Sequence, residues 1–261
     1  MKGFKFFPLL LLIILCSVSL SESQEKSRYH AFYLNEDCVI PSESFQYEKT
    51  MKEFMDLLKE FKYEYPIFVF STDDYFYYLS TPVGLAHTYI DSVSNAYQAL
   101  AKEAGDKWSK VFEGFKECYQ YNREVTLYFD TLLSYAPAEK DYKGTEKHFV
   151  EFTFVYLYQH KTKDFADCMK QWVELYTKNK AVTGFDTYWG GMGMEKPAVV
   201  WTFRGKSHLS FLTKYEETRK LMKEDKEAVD KLWEKTLKCV RKMDTKQGYY
   251  RADLSYYPEK E

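Results

Sequence analysis

Two histidines, His87 and His208, stand 121 residues apart, each between a β-like run and the start of a helical run. An imidazole titrates near neutral pH, so at such a place it can serve as general acid, general base or axial ligand. The plainer reading is a surface or capping histidine kept twice by duplication. His30, His148 and His160 have no partner at that spacing and carry no chemical expectation. Four carboxylates, Asp130, Glu151, Asp186 and Asp253, fall inside strand-like runs, where a charge is costly unless paired or solvated. Alternation puts Glu151 with Thr153 on one face and Phe152 with Phe154 on the other, and solvated edge positions account for most such residues. Gly190-Gly191-Met192-Gly193 joins two strands instead of opening a helix, so it reads as a hairpin turn using positive φ and not as a phosphate cradle. No Cys-x-x-Cys or His-x-x-x-His spacing offers a metal site, and no nucleophile elbow or glycosidase-like motif is present.

The elements that hold these residues occur twice. At an offset of 121, Thr81 meets Thr202, Leu100 meets Leu221, Cys118 meets Cys239 and Tyr128 meets Tyr249. Leu133-Ser134-Tyr135-x-Pro137 returns as Leu254-Ser255-Tyr256-x-Pro258. The spacing reads as a gapless tandem repeat. Each copy runs strand, helix, strand, strand, helix, strand. In the first copy Met51, Phe54, Met55, Leu58 and Phe61 share one helical face after a strand at 29–34, and in the second Phe165, Met169, Trp172 and Tyr176 do so after a strand at 149–158. The second helix of each copy is interrupted by a charged segment, 102–107 or 223–228, which fits either a break or a long exposed helix. Residues 24–137 and 146–261 form the two repeats, with 138–145 as a polar linker.

Lys2 and Lys5 precede an apolar run from Phe6 to Leu15, and Ser17, Ser19, Ser21 and Ser23 follow. That is the pattern of a signal peptide over 1–23, too short for the roughly 20 apolar residues of a spanning helix. Cys16 is not a lipidation site, since the bulky Leu15 precedes it. No second apolar run follows, so the mature chain is expected to be secreted or periplasmic, with no membrane span. Charges are balanced, 37 basic against 39 acidic and interspersed, leaving no basic stripe for nucleic acid. The 24 Tyr, 20 Phe and 5 Trp are mostly core, because aromatic rings suit pleated half-buried surfaces.

The βαββαβ order is ferredoxin-like, with both helices on one face of a four-stranded antiparallel sheet. One copy alone would leave its other sheet face bare, and two copies face to face would bury both. In element order, and in Val199-Val200-Trp201-Thr202-Phe203 running into a helix, the chain resembles the dimeric α/β-barrel superfamily, which includes antibiotic-biosynthesis monooxygenases, haem-degrading monooxygenases and NIPSNAP-like proteins. The resemblance implies an α+β fold, two ferredoxin-like repeats forming an intramolecular barrel, and a monomer with an internal pseudo-twofold. It also implies a ligand pocket between sheet and helices, with His87 and His208 at its mouth and Trp172, Trp189, Trp201 and His208 lining it in the second copy. With strand one pointing up, the topology pairs Cys38 with Cys118 and Cys168 with Cys239, each bridge contributing up to ~4 kcal/mol; four buried thiols are the alternative. Three functions follow. The leading expectation is a secreted protein that binds a small apolar or aromatic molecule without chemistry. The alternative is a monooxygenase-like or haem-handling enzyme, and the third is a non-catalytic interaction module.

Overall fold

The computed structural model describes residues 27–85 and 88–259; the expected leader over 1–23 and His87 lie outside them. Eight strands close into one antiparallel barrel: β1 (Tyr29–Val39), β2 (Phe68–Thr72), β3 (Phe76–Val83), β4 (Tyr119–Asp130), β5 (Phe149–Leu157), β6 (Asp186–Gly190), β7 (Ala198–Gly205) and β8 (Val240–Tyr250). Their order around the barrel is β1-β3-β2-β8-β5-β7-β6-β4. The second half repeats the first, and β2·β8 and β4·β6 are the two seams between repeats. The fold is thus the dimeric α/β barrel, built here as a tandem duplication within one chain.

Helices α1 (Ser44–Glu60), α2 (Thr88–Ala104), α3 (Asp106–Phe115), α4 (Thr162–Lys178), α5 (His208–Leu221) and α6 (Lys226–Leu237) lie outside the barrel. The broken-helix reading holds in both copies. Gly105, at φ 51°, separates α2 from α3, and a one-turn helix at Lys223–Asp225 separates α5 from α6. In α1 the residues Tyr47, Met51, Phe54, Met55 and Leu58 form the buried stripe that seats the helix on the sheet. Each full burial is worth roughly 1.5–3 kcal/mol, and Leu58→Ala, which also leaves a cavity, costs about 2–5 kcal/mol.

The repeat is not gapless. The offset is 118 from β1 through α1 to β2, 122 between β3 and β7, and 121 from Cys118 onward. The difference arises in two places: the turn after β6 is four residues longer than the turn after β2, and the second copy is one residue shorter between its third strand and its last cysteine. The true structural partner of Trp201 is therefore Leu79, and that of Cys168 is Thr50. The Gly-rich segment is a hairpin as expected: Gly193 has φ 75°, and Gly191 N–H donates to the Thr126 carbonyl at 2.7 Å, docking the turn on β4.

The repeated Leu-Ser-Tyr motif is a pair of exchanged arms. Leu133, at the end of repeat one, is buried in the helical core of repeat two, while Leu254 is buried in that of repeat one. Thr187 N–H donates to Ser134 Oγ, and Val69 N–H donates to Ser255 Oγ, both at 2.9 Å. Tyr135 bridges to Phe185 and donates its hydroxyl to the Ala181 carbonyl at 3.0 Å; Tyr256 bridges to Ile67 and donates to the Tyr63 carbonyl at 2.6 Å. Each half thus completes the other, which explains why the motif occurs twice.

The expected disulfides are not formed. Cys38, Cys118, Cys168 and Cys239 are all buried free thiols. Cys38 lies at a bulge in β1 beside Gln120, Tyr121 and Glu36, whereas Cys118 packs in the helix-facing core and donates to the Gly114 carbonyl, so the bulge has parted the first pair. Cys168 and Cys239 are neighbours; burial, with Cys168 beside it, pushes the Cys239 thiol up and keeps it protonated.

Candidate functional site: the barrel interior

The layer between sheet and helices, where the binding residues were expected, is filled. Trp201 stacks on Phe165 at 5.7 Å, Trp189 meets the same ring edge-on at 6.2 Å, and Trp172 donates its indole N–H to Thr236 Oγ1 at 3.0 Å. Trp189 donates to Asp130 Oδ2 at 3.1 Å. These three rings are core, and His208 stacks on Phe149 at 4.8 Å where α5 begins. None of the four lines the barrel cavity or the recess at its mouth.

One open space, of about 1020 Å³, is a surface cleft between α1 and the C-terminal arm, bordered by Lys52, Lys59 and Tyr257; another lies inside the barrel. Alternation on β7 sends Val199, Trp201 and Phe203 to the helices, and Val200, Thr202 and Arg204 to the lumen. A cavity of about 170 Å³ is lined by Phe32, Phe68, Phe70, Phe152, Phe154 and Tyr188, together with Leu34, Leu127, Tyr78 and Ser80. Thr202 and Arg204 line both this cavity and a shallow outer recess formed by Pro137, Asp141, Tyr142 and Lys214. They form the partition between the interior and the surface.

At this mouth Arg204 pairs with Asp186, and its Nη2 reaches Tyr188 OH at 3.5 Å. Thr202 Oγ1 donates to Asp186 Oδ2 at 3.3 Å. The pair keeps 21% and 25% side-chain exposure, so it stands at an entrance and is not sealed in the core. Burial by itself would lower the Arg204 pKa, but the Asp186 carboxylate outweighs it and the guanidinium stays charged. Burial, reinforced by Asp186, raises the Tyr188 phenol, which stays neutral with its oxygen facing the Arg204 guanidinium. The corresponding positions of repeat one are Pro82 and Phe68. The polar mouth therefore belongs to repeat two alone.

The remaining carboxylates have structural partners, and Asp253 lies on a one-turn helix at Ala252–Leu254 and not on a strand. Asp130 is wholly buried and not on a solvated edge: burial would raise its pKa, but hydrogen bonds from Arg28 and Trp189 hold it below the usual range. Asp253 pairs with Arg251, and Glu151 accepts from Gln247 at 2.7 Å. His148 is buried between Tyr142 and Tyr250, at 4.7 and 5.1 Å, and donates from Nδ1 to the Glu146 carbonyl. Sequence reasoning passed over Arg204, Tyr188 and Tyr78. Arg204 had a signal, since it lies two residues from Thr202 on an otherwise apolar strand and so shares its face.

Haem does not fit these residues. The cavity is far below the roughly 300 Å³ at which cofactor pockets begin. Among the described residues no histidine, cysteine or methionine lines it, and its buried phenol Tyr78 is held neutral by burial and the nearby Glu36 charge.

No family model matches the sequence, and no curated protein sequence matches it. Among solved structures, the chain is similar to an anthrone oxidase-like protein at 12% identity, covering 86% of this chain and 92% of that one with a TM-score of 0.56. It is also similar to a protein assigned as a monooxygenase from Lactobacillus acidophilus, at 10% identity over 89% and 97% with a TM-score of 0.51. A Fusobacterium nucleatum protein with the same assignment shows 11% identity over 85% and 92% with a TM-score of 0.50. At such identities the likeness establishes the fold. The leading expectation, a secreted binding protein with a sheet-helix pocket and no chemistry, is corrected here: the neighbours are oxygenase- and oxidase-type proteins, and the sheet-helix layer is closed by Trp172, Trp189 and Trp201.

Proposed function

We propose that the chain is a monooxygenase- or oxidase-type enzyme that oxidises an aromatic substrate in the barrel interior with molecular oxygen, using side chains alone. The observation that carries this reading is the ring-lined cavity opening at a charged Arg204–Asp186 pair. The neighbours described as monooxygenases and as anthrone oxidase-like support it.

An activated methylene, or a phenol whose keto tautomer carries a ring CH2 beside its carbonyl, becomes reactive toward oxygen once its proton is lost, because the anion places charge on a carbon that keeps one hydrogen. The anion so formed needs a fixed positive charge in a dry site, and Arg204 supplies one. Asp186 orients that guanidinium and is the carboxylate nearest the mouth able to take the proton. The carbanion then gives its electron pair to oxygen, a C–O bond forms, and loss of water from the resulting hydroperoxide leaves a carbonyl. One CH2 and one O2 give one C=O and one H2O. Oxygen-electrode assays against a panel of phenols and activated aryl ketones test this: uptake that needs Arg204 supports it, and no uptake with any member overturns it.

We further infer a monomer, because the barrel has no open sheet edge for a second copy. Light scattering showing a dimer at micromolar concentration would refute this. Export, read from residues 2–23, is tested by N-terminal sequencing of the mature protein.

A further inference from the structure

Two polar groups face the interior cavity from opposite ends of the barrel. Arg204 pairs with Val150 at the start of β5. Tyr78 pairs with Glu36 near the far end of β1. Tyr78 is only 1% exposed, yet its hydroxyl has no hydrogen-bond partner. A buried polar atom without a partner is rare in a native fold and calls for an explanation; of the four such side-chain atoms among the described residues, with Glu36 Oε1, Tyr63 OH and Trp201 Nε1, only that of Tyr78 belongs to a residue lining the interior cavity. Its ring is fixed against Phe152 at 5.3 Å, so the hydroxyl cannot swing away to solvent. The cavity between the two groups, about 170 Å³, is close to the size of an apolar cavity of about 150 Å³ that takes one benzene ring.

We propose that the ligand of this cavity is a single-ring phenol, bound as the phenolate. Its anionic oxygen lies on Arg204, its ring lies among Phe32, Phe70 and Phe152, and an acceptor across the ring takes the hydrogen bond of Tyr78. This deepens the oxygenase reading by naming the substrate class. It also separates this chain from fused-ring substrates, for which the space is too small. Repeat one, with Pro82 and Phe68 in the matching places, cannot bind the anion, so one ligand binds per chain.

The test uses the full chain and 4-nitrophenol, which ionises near neutral pH and carries a nitro acceptor opposite its hydroxyl. Binding is followed by calorimetry, and ionisation by the phenolate absorption band. The expected result is 1:1 binding with the bound ligand more ionised than the free one, nitrobenzene weaker by about tenfold, and anthrone not bound. Tyr78→Phe weakens 4-nitrophenol about fivefold and leaves unsubstituted phenol unchanged. Arg204→Lys retains the shift in ionisation. The double variant Asp186→Asn/Arg204→Gln, which leaves neither charge without its partner, abolishes it. The proposal is overturned if 4-nitrophenol does not bind, if anthrone binds as well as it does, or if the double variant keeps the shift. Oxygen plays no part in this readout. Binding without oxygen uptake refutes the oxygenase reading and leaves the ligand assignment standing; uptake on a polycyclic substrate without phenolate binding does the reverse.

Discussion

Replacing Tyr78 by phenylalanine removes one oxygen and no ring contact, and the structure gives the sign of the effect. In the free protein that hydroxyl is buried and unpartnered, an arrangement that costs about 1–3 kcal/mol. The adjoining cavity lets a water reach the hydroxyl and recover part of this, so Tyr78→Phe should raise unfolding free energy by about 1 kcal/mol, or roughly 2–4 °C in Tm for a chain of this size. Tyr47→Phe is the matched control. The Tyr47 ring is equally buried, but its hydroxyl donates to Asp37 Oδ2 at 2.6 Å. Losing a bond to a buried carboxylate costs about 1.5–3 kcal/mol. The two substitutions are chemically identical and should move stability in opposite directions. Urea unfolding followed by tryptophan fluorescence, with m unchanged, measures both. A Tyr78→Phe protein destabilised by more than about 1 kcal/mol would mean that the hydroxyl already has a partner, and the ligand argument built on it would fall.

Three other outcomes are expected. Burial pulls the His148 pKa below its ordinary value against the opposing Glu146 carbonyl, so the unfolded chain takes up a proton more readily than the folded one. Its contribution is complete above about pH 6.5 and is lost as pH falls from there through the folded-state pKa; His148→Phe, which keeps the stack with Tyr142 and Tyr250, should flatten unfolding free energy between neutral pH and the range where carboxylates titrate, and an unchanged slope would refute this. Ser134→Ala and Ser255→Ala each leave one buried N–H without its acceptor, that of Thr187 or Val69, and should cost about 1–3 kcal/mol each. Near-equal losses in urea unfolding support equivalent exchanged arms, and no loss in either rejects them. Gly193→Ala should destabilise the chain, because φ is 75° and the added Cβ would lie 1.9 Å from the Glu124 carbonyl oxygen; thermal unfolding at wild-type Tm would contradict that geometry.

Helices were legible where one face packs, as with the Met51, Phe54, Met55 and Leu58 stripe of α1, because burial imposes the period of 3.6. The first halves of β4 and β8 were not. These strands start at Tyr119 and Val240, ahead of any apolar alternation, and their opening residues are mostly solvent-exposed. On β4 only Leu127 to Phe129 pair with β6, and on β8 only Gly248 to Tyr250 pair with β2, so the preceding backbone is extended without an apolar alternation to betray it. The site was misjudged for a different reason. Trp201 and Arg204 lie on one strand but on opposite faces, and aromatic bulk drew attention to the helix-facing side. Which face of a barrel strand keeps a void depends on whether the other layer supplies filling rings. Here Phe165 of α4 fills the outer layer against Trp189 and Trp201, and nothing in the spacing of β7 contains that information.

The single chain also explains how a charged mouth can exist on one side only. In a barrel made from two identical chains, any residue at the place of Arg204 appears twice, related by the twofold, and two guanidiniums would face each other across a lumen a few side chains wide. Each would need its own carboxylate, and the aromatic floor supplied here by Phe68 would be lost from both halves. Joining the copies removes that constraint. Repeat two carries Arg204 and Asp186, repeat one carries Pro82 and Phe68, and the four extra residues after β6 lie in the half that carries the charge. The exchanged arms keep the halves in register while their interiors diverge, since Leu133 and Leu254 anchor each half in the core of the other, outside the lumen. Structural symmetry is thus retained in the helical layers, where packing needs it, and broken in the barrel interior, where a ligand with one charged end needs an asymmetric site.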